Sequence, residues 1–218
     1  VVTTRTLLHE AIPMTGTIVS GTYADENIKN YTHGMFQSVY DYPYLSSSAN
    51  HVFDITVGVS TDSEIYSSVT NQQSKKKNIY NQMAQVLMGY DHTGSIQRFD
   101  EDGNIAAGGT KLDDVYFLNF SRLLVKDEIK KGSFQLEMSV AGAYLETGAV
   151  HDEDNLIKIT DASGSDGYLV NSPAGEYGIL YATASASDSQ VLAFNKKHVC
   201  GLLFYQAGVA VISGSVFN

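Results

Sequence analysis

Several things are scarce in this sequence, and each shortage removes a class of function. Among 218 residues there is one cysteine, Cys200. An internal disulfide is therefore excluded, as is a zinc site built from several thiolates. A single thiol also suits assembly in a reducing cytoplasm. Charge is sparse and lopsided: 17% of the residues are charged and the formal net charge is -10. Nucleic-acid binding relies on basic clusters that displace counterions, and an acidic chain opposes it. The one basic run, Lys75-Lys76-Lys77, is short and reads as a solvated helix end. No direct nucleic-acid partner is expected. Long apolar runs are also missing. The best, "CGLLFYQAGVAVISG", is interrupted by Gln206 and two glycines and falls short of the ~20 residues a spanning helix needs. No membrane partner is expected either. The start, "VVTTRTLLHE", lacks the charged head, apolar run and cleavage site of a signal peptide, and "SGSVFN" stops while still apolar. Both ends read as cuts, so a processed product or a fragment of a longer chain is expected.

What is present points to strands. The apolar fraction is 43%, enough for a real core, and the surface is left to Ser, Thr, Asn, Gly and 14 Tyr. Only 3 prolines interrupt the chain, and there is no tryptophan. "TGTIVSGTY" (Thr15 to Tyr23) and "HVFDITVGVS" read as strands, the latter alternating at Val52, Ile55, Val57 and Val59. "STDSEIYSSVTNQQS" reads as a polar surface loop. In "SKKKNIYNQMAQVLMGYD" the period changes: Ile79, Met83, Val86, Leu87 and Tyr90 fall at helical spacing. The spacing predicts one substantial amphipathic helix over about residues 75–88, capped by Ser74 and ended by Gly89. "DDVYFLNFSRLL" is apolar on both faces, as a covered central strand would be. "VKDEIKKG" predicts one or two helical turns stopped at Gly132, and "SFQLEMSV" a half-buried strand. The last third is a series of short strands: "NLIKIT", "GYLV", "YGILYATAS", "QVLAFN", "GLLFY" and "VAVISGS". "GLLFY-QAG-VAVIS" is a hairpin signal that uses Gly208 at positive φ. The expected fold is mainly β (α+β): antiparallel, sandwich-like sheets with one helix, in a single domain over 1–218. A subdivision into 1–145 and 146–218 is the alternative.

Each candidate for chemistry has a plainer competitor. "FDEDGNIAAGG" (Phe99 to Gly109) places Asp100, Asp102 and Asn104 at alternate positions, as a calcium loop would. Counting from Asp100, however, loop position six is Ile105 and position twelve is Lys111, which fail the glycine and the bidentate glutamate. Asp102-Gly103 is the preferred pair of a two-residue hairpin turn, here between "SIQRF" and "NIAA", and the turn is the expectation. "HDEDN" (His151 to Asn155) and "DASGSDG" (Asp161 to Gly167) read as solvated loops, since neighbours on a strand point to opposite faces. His198 and Cys200 would share a strand face and could begin a nucleophilic site. "HVCGLLFY" nevertheless runs into a core-like strand, where cysteine behaves as a small hydrophobe. No phosphate loop, dinucleotide fingerprint, helical histidine pair or serine elbow is present. The reading therefore assigns no catalytic, cofactor-binding or metal-ligating residue, and no cofactor. A hydrolase using Cys200 or a carboxylate pair without a short signature is a remaining alternative. The rings of "YDYPYL" (Tyr40 to Leu45) fit an apolar connection and a sugar platform equally well.

Two groups of phrases carry a resemblance. "ANHVFDITVG", "KNIYNQMAQVLMGYD", "RFDEDG" and "VYFLNFSRLLVKDEIKKGSFQLEM" resemble virion structural proteins of large contractile-tailed phages, of the T4-like and cyanophage kind. "GEYGILYATASAS" and "HVCGLLFYQAGVAVISGSVF" are similar to a strand-hairpin-strand pattern in the same proteins. The resemblance begins at Ala49 and has no catalytic motif. It implies a non-enzymatic virion subunit, in tail, baseplate or neck before capsid, assembled in the host cytoplasm with other virion proteins and copies of itself. A receptor- or glycan-binding module at the tail periphery, carried by Tyr40 to Leu45, is the second expectation. The apolar end Val211 to Phe217 is expected to pair with a neighbouring subunit.

Overall fold

A strand that is apolar on both faces needs neighbours on both edges and cover on both sides. Asp114–Asn119 is such a strand. The computed structural model describes residues 28–40, 44–47, 49–66, 71–103, 109–121, 124, 127–139, 156–184 and 198–217. In it Val115, Tyr116, Phe117 and Leu118 are all buried. The strands are β1 (Ile28–Asn30), β2 (Gln37–Tyr40), β3 (His51–Val59), β4 (Asp114–Asn119), β5 (Gln135–Ser139), β6 (Leu156–Thr160), β7 (Leu169–Ser172), β8 (Gly175–Ala184), β9 (His198–Phe204) and β10 (Val209–Ser213). One helix, α1 (Asn71–Leu87), lies between β3 and β4 in the chain, and a 3-10 turn (Gly214–Phe217) follows β10.

The fold is mainly β, as the sequence predicts. The described strands join in one 10-stranded sheet, however, where the spacing suggests sandwich-like sheets. Its order is β1-β2-β3-β4-β10-β9-β8-β6-β5, with β7 beside β8, and the pairings are antiparallel. The reason is β10, which pairs with β4 on one edge and β9 on the other and so links strands from either side of residue 145. That role corrects the expectation for Val211 to Phe217. Val211 and Ile212 are fully buried within the chain's own sheet, and Val216 packs against the core. The β9–β10 hairpin itself is as expected: Gly208 has φ 65 and its amide donates to the Phe204 carbonyl at 2.9 Å.

Register decides which side chains share a face. Thr56 and Gly58 stand beside Phe117 and Val115, and Val209 and Val211 beside Phe204 and Leu202. This face is covered by α1 and by Phe99. A Cβ on Gly58 would lie 3.0 Å from Tyr80 Cβ and 2.5 Å from the Phe117 ring, so only glycine lets the helix approach this closely. The opposite face carries Phe53, Ile55, Val57 and Val59, all buried. Phe120 meets Phe53 there at 5.5 Å and Phe134 at 5.6 Å between ring centroids.

The helix is present but rotated and shifted from expectation. It begins at Asn71, so Ser74 lies inside it and does not cap it. Gly89 ends it as predicted, with φ 79 and its amide bonded to the Ala84 carbonyl at 3.1 Å. The buried apolar residues among those described in it are Ile79, Tyr80, Ala84 and Leu87, whereas Val86 and Tyr90 are 65% and 54% exposed. The rotation follows Tyr80, whose hydroxyl donates to the Leu112 carbonyl at 2.7 Å. Lys76, about one turn earlier, is thereby carried inside; it is fully buried, not solvated as the basic run suggested. The turns expected from "VKDEIKKG" are also absent among the described residues. The Ile129 amide donates to the Tyr205 carbonyl at 3.0 Å, a bond to β9's end in place of a helical one. Thr15 to Tyr23 and Gln190 to Asn195 lie outside the described residues.

Burial lowers the Lys76 ammonium from 10.5 to about 8. Between those values the unfolded chain still holds the proton that the folded chain has released, so stability rises with pH across that window. Lys76→Met should remove that rise and narrow the gap in stability between neutral and alkaline pH. Urea unfolding at pH 7 and pH 9.5 measures that gap. Equal pH slopes in the two proteins would contradict the assignment.

Candidate functional site

The acidic stretch after Phe99 is a loop closed by its own carboxylate. Asp100 bridges to Lys111, the Leu112 amide donates to the Phe99 carbonyl at 3.0 Å, and the Glu101 amide to the Thr110 carbonyl at 3.0 Å. The pairing partner of "SIQRF" is therefore "TKL", not "NIAA", and the two-residue hairpin becomes a longer loop. A turn is present within it, but its central pair is Glu101-Asp102 and not Asp102-Gly103: Gly103, with φ 72, is its last residue and donates to the Asp100 carbonyl at 3.2 Å. Phe99 fixes this register because its ring is buried in the core. The Asp100 side chain is buried, accepts the Asp102 amide at 3.2 Å and pairs with Lys111. Burial raises its pKa, and Lys111 pulls against that shift. Its oxygens hold the loop together. Asn104, the third candidate ligand, lies outside the described residues, as do His151 to Asn155. Among the described residues no group of three His, Cys, Asp or Glu side chains is arranged to hold a metal ion.

Asp161 departs from the solvated loop expected of "DASGSDG". Its neighbours Ala162 and Ser163 are exposed, but Asp161 itself is buried. It accepts the Gly132 amide at 2.7 Å, the Phe134 amide at 2.9 Å and the Tyr205 hydroxyl at 3.2 Å. A Cβ at Gly164 would lie 2.2 Å from the Tyr205 oxygen, so glycine keeps this junction closed. The carboxylate fastens the chain before β5 to the ends of β6 and β9.

A third polar group ties β3 to β4. Ser60 Oγ donates to Asp113 at 2.6 Å, Ser63 Oγ donates to Asp114, and Arg98 spans Asp113 at 2.9 Å and Asp62 at 2.8 Å. Burial raises the Asp114 pKa, and the Ser63 hydrogen bond opposes it. The serines here reach into structure, although "STDSE" reads as plain surface.

Of the His198–Cys200 pair, the structure describes the Cys200 side chain. Register shifts between Leu180 and Tyr181: Val199 faces Tyr181 and Gly201 faces Leu180, so Cys200 is the extra residue of a bulge. The thiol is buried, lies 3.5 Å from the Leu180 carbonyl, and is pushed up to about 12 by burial. A thiol so protonated is no nucleophile at neutral pH.

The remaining arrangement lies at the sheet's outer end. Ser38 Oγ donates to Asp54 Oδ1 at 2.5 Å, and His51 Nε2 lies 2.8 Å from the same oxygen. A nucleophilic triad places the imidazole between the hydroxyl and the acid. Here the acid is in the middle, so Ser38 has no base to take its proton in that manner. Aromatic rings flank the cluster. Tyr40 meets the His51 ring edge-on at 5.6 Å and Tyr44 at 6.3 Å. Of the expected aromatic segment, residues 41–43 lie outside the described residues. A second group escaped the sequence reading: Tyr31, His33 and Phe36 lie 4.9–5.2 Å apart around the turn at Gly34, whose φ is 64. The signal available was "YTHGMF", three rings spaced about a glycine.

Cys200 provides a direct check on this assignment. Iodoacetamide at pH 8 should leave the folded chain unmodified for hours and label it fully in denaturant, as read by intact mass. Rapid labelling of the folded chain would restore Cys200 as a reactive group.

In comparisons with known proteins, no family model matches the chain, and neither a curated protein nor a solved structure does.

Proposed function

We propose that this chain is a non-enzymatic structural subunit of a tailed-phage virion, in the tail, baseplate or neck, acting through interfaces with other virion proteins and with copies of itself. The likeness of the phrases from Ala49 onward to contractile-tailed phage proteins motivates the reading. The observation that carries it is the use of the polar groups. Asp100, Asp161 and Asp114 hold loops to strands, and the Cys200 thiol is buried in a bulge. The sequence's main chemical candidates are thus committed to the fold itself.

Surfaces suited to assembly are available alongside. Among the described residues β1 and β5 end the sheet path and β7 pairs with β8, and backbone groups at such edges are able to take an added strand. Ser172 Oγ donates to the Leu87 carbonyl, which brings β7 beside the end of α1. Val86, Tyr90 and Val170 are exposed in this region and offer apolar area for a neighbour.

The test is to locate the chain. Mass spectrometry of purified particles of the phage whose genome encodes it should find the chain at fixed stoichiometry, and immunogold labelling should place it on the tail. Its absence from intact particles would reject the proposal.

A further inference from the structure

The outer strands carry two groups of rings with a hydrogen-bonding patch between them, all on one side of the sheet. Register places Lys29 beside Ser38 and Ser38 beside Asp54. Alternation along β2 brings Phe36 to the same face as Ser38. At one end stand Tyr31, His33 and Phe36, with the Lys29 ammonium 5.2 Å from the Tyr31 ring centre. At the other end stand Tyr40, Tyr44 and the His51 ring. Phe36 and Tyr40 are four residues apart along the strand, about 13 Å at ~3.3 Å per residue. Between them lie Asp54, whose side chain is 15% exposed, and the Tyr31 hydroxyl; Ser38 is fully buried beneath and holds both, its Oγ 3.1 Å from the Tyr31 hydroxyl and donating to Asp54. Tyr31, Phe36, Tyr40, Tyr44 and His51 are all partly exposed, and His33 is exposed.

We propose that this strip binds a neutral saccharide chain. A sugar ring has an apolar C–H face and a rim of hydroxyls. Aromatic faces take the first, while carboxylate, hydroxyl and imidazole groups take the second. The two ring groups are separated by an oligosaccharide's reach, so successive sugars can stack at both ends while hydroxyls between them meet the polar patch. Charge selects against the other ligands that stack on rings. The chain carries a net charge of -10 and the strip has Asp54 at its centre, with Lys29 at its Tyr31 end, so the field of the whole chain disfavours nucleic-acid phosphates and sulfated or carboxylated glycans, whereas neutral hydroxyls can donate to the carboxylate. A protein partner fits less well here. The strip alternates rings with polar groups, and of the exposed aliphatic side chains only Leu45, after Tyr44, is near it among the described residues, whereas Val86 and Val170 belong to α1 and β7. The inference goes beyond the virion reading and does not depend on it, because it rests on β1–β3 alone.

Calorimetric titration of the full 218-residue chain with chitohexaose, cellohexaose and maltohexaose tests it, with a heparin hexasaccharide as the charged comparison. At least one neutral hexasaccharide should bind in the millimolar range or tighter and in preference to heparin. Phe36→Ala and Tyr40→Ala should each weaken that binding about tenfold, the equivalent of ~1.4 kcal/mol. Val86→Ala should leave it unchanged. His33→Ala, at an exposed ring, should also weaken binding and serves if Phe36→Ala fails to fold. Absence of binding to all three neutral sugars overturns the proposal and returns the strip to protein contact. Binding that survives the aromatic substitutions, or a preference for heparin, overturns it equally.

Discussion

The ring of Phe99 joins the parts of this protein that local sequence alone cannot bring together. It packs against Tyr80 of α1 at 5.5 Å, Phe117 of β4 at 5.6 Å and Phe204 of β9 at 6.3 Å, and Phe204 in turn stacks on Tyr177 of β8 at 5.0 Å. Edge-to-face and offset contacts of this kind add to what burial alone provides. The requirement behind them is simple. β4, β10 and β9 are apolar on both faces, and a sheet with such a centre needs a cover. On the face of Gly58, Phe117 and Phe204 that cover is one helix and one loop held by one ring.

The polar groups follow from that arrangement. Loops that cross the ends of a buried sheet leave backbone amides and carbonyls away from water, and each needs a partner. With few charged residues available, single carboxylates do this at several places. Asp161 receives two amides and a hydroxyl, Asp100 closes the loop behind Phe99, and Asp113 and Asp114 hold the serines that follow β3. A buried charge satisfied in this way is structural, and removing its partners would cost more than a surface ion pair contributes. Among the described residues, the polar cluster flanked by two groups of partly exposed rings is Ser38–Asp54–His51. That contrast is why the saccharide inference centres there.

How much of this was legible depended on distance along the chain. The helix, the doubly apolar β4 and the β9–β10 hairpin are written in spacings of two to four residues and were read correctly in kind. Asp161 was misread because its partners Gly132 and Tyr205 are 29 and 44 residues away, and nothing local to "DASGSDG" announces them. Lys76 and Val86 exchanged places because Tyr80, which is not among the residues of the predicted stripe, became its centre. The tail Val211 to Phe217 looked like an unpaired apolar end because β4, which fills the second edge of β10, lies far earlier in the chain. The Tyr31–His33–Phe36 group was missed for another reason: rings about a tight turn have neither helical nor strand period.

The central claim is that Phe99 couples the helix, the acidic loop and the sheet into one cooperative unit. Equilibrium denaturation of Phe99→Ala, followed by circular dichroism and by hydrogen exchange of the β4 amides, measures it most directly. The account predicts a loss of about 3–5 kcal/mol, as for other buried phenylalanines, with the β4 amides losing protection to the same extent. A loss under about 1 kcal/mol with β4 protection intact would fall within ordinary surface-substitution effects and would contradict it.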